Sequence, residues 1–402
     1  MKNSTDIAPR FVAICGVLTL LLAINSFSTD TVAVGIPQLR DFFGVNSSSA
    51  NLVFSVYVFA FGFMQLVYGP ISDRFGRRPV LVMGMVLYAF STVLCAFAPT
   101  FETLLVARGL QGASASAAPA VARAVIRDLY GPDGSRKVLG YIMSAFGLVA
   151  ITTPIIGGFL VAWQGWQASF YFCGVYALVC ICLIFGLLNE TRPDSGPSNL
   201  HLKNMLSTYL KLTPNPLFAL NCVTNLFMFA GMFVWLSGSM LVLIDGYWIN
   251  AKLAGLLLAF GSAGFMFGAW ASARLGIWIG PERLILSGSI TAIFAAAAIL
   301  VFGLFKFQNG YAVAMPAFLW MFGHGLHYPQ SMAGAIAPFP DKAGAASSLI
   351  GFYQTTAAAI MAFTMGALHD GSAVPLGFLM FISSAAAFAA YFPFYRRLSL
   401  KK

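Results

Sequence analysis

Charge is scarce in this chain. Asp, Glu, Lys and Arg together make up 9% of 402 residues, against about 25% in soluble domains. With 59% apolar residues, that scarcity excludes an ordinary soluble fold and points to a polytopic helical membrane protein. Disulfide chemistry is also missing. Cys15, Cys95, Cys173, Cys180, Cys182 and Cys222 all fall in apolar runs with no pairing or metal-binding spacing, so they read as small packing residues. No G-x-x-x-x-G-K-[ST] and no H-E-x-x-H occurs, so neither an ATP site nor a zinc-hydrolase site is expected, and no metal site is predicted. Neither a ring of charges nor a filter-like loop suggests a channel. The first apolar run lacks an A-x-A-like cleavage site and is expected to be a retained span, not a signal peptide.

Apolar runs of helical length recur twelve times, at about 11–36, 49–70, 79–98, 102–126, 137–162, 169–188, 215–243, 252–272, 283–305, 310–332, 343–368 and 373–395. An even number of spans puts both termini on one side. Nineteen of the 23 Lys and Arg residues fall on that side; Arg40, Lys252 and Lys306 fall on the other, and Arg108 lies within a span. This bias predicts cytoplasmic termini. The net charge of +10 then reflects topology and lipid contact, not nucleic-acid binding. The polar stretch after span six divides the chain into a bundle at 1–188, a cytoplasmic linker at 189–214 and a second bundle at 215–402. The halves echo one another: Asp73-Arg-Phe-Gly76 before span three matches Ala273-Arg-Leu-Gly276 before span nine. Parallel six-span repeats place a ligand site between the halves, near the midplane.

The loop between spans two and three reads Gly69-Pro-Ile-Ser-Asp73-Arg74-Phe-Gly76-Arg77-Arg78-Pro79-Val80. It resembles the G-x-x-x-D-R-x-G-R-[RK] signature of the major facilitator superfamily, with glycines for tight turns and close approach. Leu104-Leu-Val-Ala-Arg108-Gly-Leu-Gln111-Gly112 is similar to that superfamily's L-x-x-x-R-x-x-Q-G pattern. The run Gly147 to Gly158, with Pro154 and Gly157, resembles its antiporter motif but has Thr153 where a glycine is usual. The Thr29-Asp30 pair, Pro338-Phe-Pro-Asp341 and Trp163-x-x-Trp166 are similar to the Bcr/CflA-like drug-efflux branch. The resemblance implies an all-α fold of twelve transmembrane helices in two six-helix bundles. It also implies a monomer in the inner membrane that exchanges small amphipathic compounds for protons. No cofactor beyond the proton gradient is implied, and no enzymatic activity. A transporter of a defined metabolite, such as a nucleoside, a siderophore-like molecule or a sugar, is the alternative on the same scaffold. A transporter-like sensor or scaffold is a third reading.

Within that frame Asp30 is the candidate proton carrier, because an ionisable side chain inside a span is costly and marks function by default. If span one runs unbroken to Ile36, Asp30 lies roughly 9 Å below the end marked by Pro37. Arg108 lies at a similar expected depth in span four, so the two are expected to communicate, directly or through water. A purely structural acid and a static helix tie are the respective alternatives. Asn25 and Ser26 flank Asp30. Asn221 and Asn225 share a face of span seven with Met228 and Met232, as ligand contacts or as polar glue between helices. His324 and His327 stand at i,i+3 on span ten, either lining a cavity or packed. Tyr57, Phe61, Phe146, Phe229, Trp235, Trp320 and Tyr353 would wall a pocket for aromatic or amphipathic cargo. Asp245, His369 and Asp370 fall at outer ends, where exposure would account for them.

Overall fold

The computed structural model describes residues 4–192, 207, 209–339 and 342–399. The middle of the expected linker, Asp341 and the terminal lysines lie outside the described residues, as do the side chains of Phe146 and its neighbours. Among the described residues nine helices are long and apolar enough to cross a membrane. Span one is Ser4–Ala33, span two Ser47–Phe75, span three Arg77–Ala96 and span six Gln167–Leu187. Span seven is Pro216–Met240, which continues into a π turn at Leu241–Gly246. Spans eight, nine, eleven and twelve are Ala251–Ile279, Pro281–Leu304, Ala343–Leu368 and Val374–Ser399. The other three spans carry breaks or polar cores. Span four is Phe101–Ala115 plus the start of a helix, Ala117–Gln164, whose remainder is span five. Span ten, Gly310–Ile336, contains two histidines and two internal prolines.

Local chemistry sets the ends. Asn46, Thr100, Asn215, Asn250 and Asn309 each accept a backbone N–H from the first turn of the helix that follows. Span one stops at Ala33, three residues short of the expected Ile36. Pro37 has no N–H and its ring excludes a helical carbonyl four residues back, which is that of Ala33. The chain restarts as a short helix, Ile36–Phe43, closed by left-handed Gly44. Between spans four and five the expected Gly131–Gly134 loop shrinks to one residue. Gly131 alone leaves helical geometry (φ 65°, ψ −177°), and Pro132 starts the next helix at a position that needs no N–H. Span five therefore begins five residues earlier than the apolar run suggested.

Spans one to six pack among themselves, as do spans seven to twelve, and the two sets meet where span two lies along span eleven and span five along span eight. Glycine makes the second seam close. A Cβ on Gly158 would stand 2.8 Å from the Ala251 carbonyl, and one on Gly255 would stand 2.6 Å from the Pro154 carbonyl. Spans eight and ten are similarly tight at Gly264, where a Cβ would drive into the Phe318 carbonyl and approach Phe322 N to 3.0 Å. Gly264→Leu should therefore lower stability by about 1–3 kcal/mol through overpacking. Thermal unfolding of the purified variant in detergent checks this, and an unchanged midpoint would contradict the described packing.

Candidate functional site

Asp30 is buried, with 6% of its surface exposed. Span one ends at Ala33, so it sits only about 4–5 Å below that helix end, shallower than the sequence suggested. No cation pairs with it among the described residues. Instead the Thr29 hydroxyl lies 2.9 Å from its Oδ1, and the Thr153 hydroxyl of span five donates to its Oδ2 at 2.9 Å. Thr153 is the residue that departed from the antiporter pattern, and here it is the carboxyl's partner from another span. Thr29 Oγ1 also stands 2.8 Å from the Asn25 carbonyl. A hydroxyl has one hydrogen and can accept as well as donate. Thr29 therefore has one proton for two acceptors, Asn25 O and Asp30 Oδ1. A proton on Oδ1 completes the set: Asp30 donates to Thr29, and Thr29 donates to Asn25.

Arg108 does not meet Asp30, so of the two expected routes, direct or through water, the direct one is not formed. Its side chain is wholly buried, and its hydrogen bonds go elsewhere. Nε donates to the Val53 carbonyl at 2.9 Å, Nη1 to Gln111 Oε1 at 2.6 Å, and Nη1 and Nη2 share the Ser28 carbonyl at 3.4 Å. Gln111 in turn donates to Thr92 at 2.7 Å. The guanidinium lies 4.3 Å over the Tyr57 ring and 5.7 Å over that of Phe170. Carbonyl oxygens, an amide and two aromatic faces thus offset the burial of this charge. Arg108 ties spans one, two and four together, meeting span one two residues before Asp30. Of these partners, Gln111 belongs to the span-four pattern; the carbonyls have no letter in the sequence.

Span five joins this centre to the other half. One and a half turns hold Thr153, Pro154, Gly157 and Gly158. Thr153 donates to Asp30, and a Cβ on Gly157 would stand 2.7 Å from Thr31 Cα. Pro154 and Gly158 lie against span eight. Gly147 lies in the stretch without described side chains.

The remaining candidates separate by neighbourhood. Asn25 and Ser26 are half-buried, and Asn25 Oδ1 has no partner. Tyr57 and Phe61 are buried and stack at 6.1 Å. In the second half, Asn225 donates to Ser331 at 2.7 Å and accepts from Gln354. His327 is held by Thr224 at 3.0 Å and Ser331 at 3.3 Å. Asn221 donates to the Leu217 carbonyl of its own helix. Trp320 donates to Ser384 at 2.8 Å, whereas the Trp235 indole N–H has no partner. Phe229 stacks near Phe233, whose ring faces Phe54 of the first half at 5.6 Å. His324 is buried with both ring nitrogens unpartnered. Tyr353 stands apart, in a small apolar cluster near the cytoplasmic end with Leu212 and Phe218.

The loop between spans two and three folds around Arg77, which is buried and meets Asp73 at 2.5 Å, Asp128 at 2.9 Å and Ser72 at 2.7 Å. Gly76 has φ +98°, which favours glycine, and Gly69 lies in a helix with nothing close to it. Only the first of the two therefore fits the expected role. Arg78 donates to the Phe185 carbonyl at 3.0 Å, and Arg192 reaches the Arg74 carbonyl. On the outer side Asp245 is not simply exposed. It is half-buried and pairs with Arg40 at 2.5 Å across the two halves.

Residues 18–363 match the Major Facilitator Superfamily. Multidrug resistance protein D of Escherichia coli (strain K12) is 27% identical over 401 residues, covering 97% of this chain and 98% of its own. The bicyclomycin resistance protein homolog of Haemophilus influenzae is 23% identical over 382 residues, 95% of each chain. Among solved structures, the D-xylose-proton symporter overlays with a TM-score of 0.75 at 16% identity, over 95% of this chain and 96% of that one. A bacterial homolog of the human lysosomal transporter Spinster, in an inward-facing and unoccupied conformation, gives 0.73 at 14% identity, over 96% and 98%. These two structural likenesses establish the fold.

Glu190, just beyond span six, closes the loop between spans two and three. Burial pushes its carboxyl up, but backbone N–H groups of Arg192, Arg77, Arg78 and Thr191 outweigh that and hold it below the ordinary value of 4.5. A carboxyl depressed in the folded state stabilises fully above its unfolded value and loses that contribution as pH falls through the folded one. The melting-temperature gap between the native protein and Glu190→Gln should thus be full above pH 4.5 and shrink in more acidic buffer. A gap that widens on acidification would refute this.

Proposed function

The chain belongs to the Major Facilitator Superfamily, and on that premise we propose that it expels small amphipathic compounds, drugs among them, in exchange for protons. It is a multi-pass inner-membrane transporter with twelve helices in two six-helix bundles. The bundles are taken as 1–188 and 215–402, joined by a cytoplasmic linker at 189–214, with both termini cytoplasmic. It works as a monomer in contact with lipid, catalyses no covalent reaction, binds no nucleic acid and draws on the proton gradient alone. The names of the similar proteins, multidrug resistance and bicyclomycin resistance, support the cargo class.

Asp30 carries the proton, and one observation carries this reading: its carboxyl is held by two hydroxyls and by no cation. With the proton on, every donor and acceptor around it is matched. With the proton off, Thr29 cannot serve both its acceptors, and a buried polar group left short costs about 1–3 kcal/mol. The deprotonated carboxylate therefore calls for water or for a rearrangement of spans one and five. Thr153 transmits that demand, because the next residues of span five form the outer seam against span eight. Proton release and opening of the seam then favour one another, which is the coupling an exchanger requires. Arg108, tied to Ser28 and Val53 carbonyls, supports this by holding spans one, two and four in register beneath Asp30.

Two variants test the scheme in everted vesicles with an imposed pH gradient. Asp30→Asn should abolish gradient-driven drug uptake, and unchanged uptake would end the proposal. Thr153→Val should slow it roughly tenfold, the equivalent of one hydrogen bond to a charged group, while Thr153→Ser should restore most of the rate.

A further inference from the structure

One cation in the first half has no role in the arrangement above. Arg123 lies in span four, eight residues before the break at Gly131, and so about 12 Å above the cytoplasmic end of that helix. The count of loop charges placed it on the cytoplasmic side; the structure places it inside the span. Its side chain is exposed yet lies within electrostatic reach of the second half, which marks a gap between helices and not the lipid surface. Among the described residues the ion pairs are Arg40 with Asp41 and Asp245, and Arg77 with Asp73 and Asp128. None of them engages Arg123. What Arg123 faces is Tyr328 of span ten, within electrostatic reach across the two halves. Tyr328 precedes the end of its helix, Ile336, by eight residues, again about 12 Å, so the two depths agree.

Behind Tyr328 the second half presents rings. Tyr328 lies 6.4 Å from Phe229, 5.9 Å from Phe265 and 5.5 Å from His324. His324 lies 5.3 Å from Phe265 and 5.7 Å from Trp320. His324 is wholly buried, and neither of its ring nitrogens has a partner. Its neighbour His327, one turn along the helix, is satisfied on both nitrogens. A buried donor or acceptor left unpaired is costly, so an orphan imidazole among aromatic faces requires a reason. An exposed arginine within the thickness of the membrane requires one too.

A single ligand chemistry answers both. A guanidinium recognises a carboxylate through paired N–H donors. The rings supply a wall for an aromatic body, and the imidazole, about 6 Å further outward, offers one donor and one acceptor to a polar group at the far end. A cationic cargo would instead meet like charge at Arg123. We propose that Arg123, Tyr328 and His324 form a subsite that selects cargo carrying an acidic group on an aromatic body. This rests on the efflux reading of the gap between the halves and narrows its cargo.

The test uses the full-length protein in nanodiscs and two probes that differ only in charge, 4′-hydroxybiphenyl-4-carboxylic acid and 4′-hydroxybiphenyl-4-carboxamide, at pH 7.5. Equilibrium dialysis should show the acid bound at least tenfold more tightly than the amide. Arg123→Gln should bring that ratio close to one, with the loss falling on the acid, and Arg123→Lys should keep several-fold preference because the charge remains. His324→Phe, which keeps the ring stack, should weaken both probes alike. Equal affinity of the native protein for the two probes, or binding of neither, overturns the subsite. A fall in both affinities by the same factor in Arg123→Gln also overturns it and makes Arg123 a latch between the halves. The efflux reading is judged separately, by gradient-driven uptake of a panel of amphipathic drugs into everted vesicles: its absence removes that reading whatever the dialysis shows.

Discussion

The hydrogen bond from Thr153 to Asp30 is the contact on which the rest of the arrangement depends. A carboxyl inside a span has three ways to be tolerated: pairing with a cation, hydrogen bonding to neutral donors, or protonation. Here the cation, Arg108, is present nearby but is fully engaged by Val53 and Ser28 carbonyls, Gln111 and the Tyr57 face. Had Arg108 paired with Asp30, the acid would have been fixed as a carboxylate, unsuited to the proton-carrying role proposed for it. Instead the two expensive groups keep separate partners, Arg108 reaching span one at Ser28, two residues before Asp30.

Because the donor comes from span five, the proton state is linked to the place where the halves meet. Gly157 allows span five to ride on span one at Thr31, and Gly158 allows it to ride on span eight at Ala251. Consecutive residues on a helix point about a hundred degrees apart, so two adjacent glycines give one helix two close faces. Any movement of Thr153 relative to Asp30 must alter at least one of them, since backbone contacts at these distances leave little room for side chains to absorb a shift. The Arg40–Asp245 pair closes the same end of the molecule, and the Arg77 cluster with Glu190 braces the opposite one.

Much of this was legible in the sequence, for identifiable reasons. The twelve spans follow from apolar length, and the Gly69–Val80 loop follows from residue order. Asp30 stood out because a membrane span makes an acid conspicuous. What stayed hidden falls into three kinds. The partners of Arg108 are mostly backbone carbonyls, which every residue has and no letter records. The Arg40–Asp245 pair joins positions 205 residues apart, and only the packed halves bring them together. Thr153 was visible, but as a deviation from a pattern of glycines, and its meaning depended on knowing which face of span one it meets. The premature end of span one could have been read, since Pro37 forbids a helical carbonyl at Ala33. Apolar residues on either side of the break concealed it.

The two halves differ in what they bury. The first buries one carboxyl, Asp30, and two arginines, Arg77 and Arg108, each with its own partners. The second, among its described spans, buries no acid at the midplane and instead carries a neutral polar chain. In that chain Gln354 bonds Asn225, Asn225 bonds Ser331, and Ser331 and Thr224 hold His327. Amide, hydroxyl and imidazole groups can satisfy one another without a fixed charge. A charge-bearing half suits a group that must gain and lose a proton, and a neutral, ring-lined half suits a body that must be held loosely and released. Repeats of common ancestry would be expected to share these tasks evenly. The uneven distribution of charge fits the proposed division of tasks instead, with the span five and span eight seam lying between the two halves.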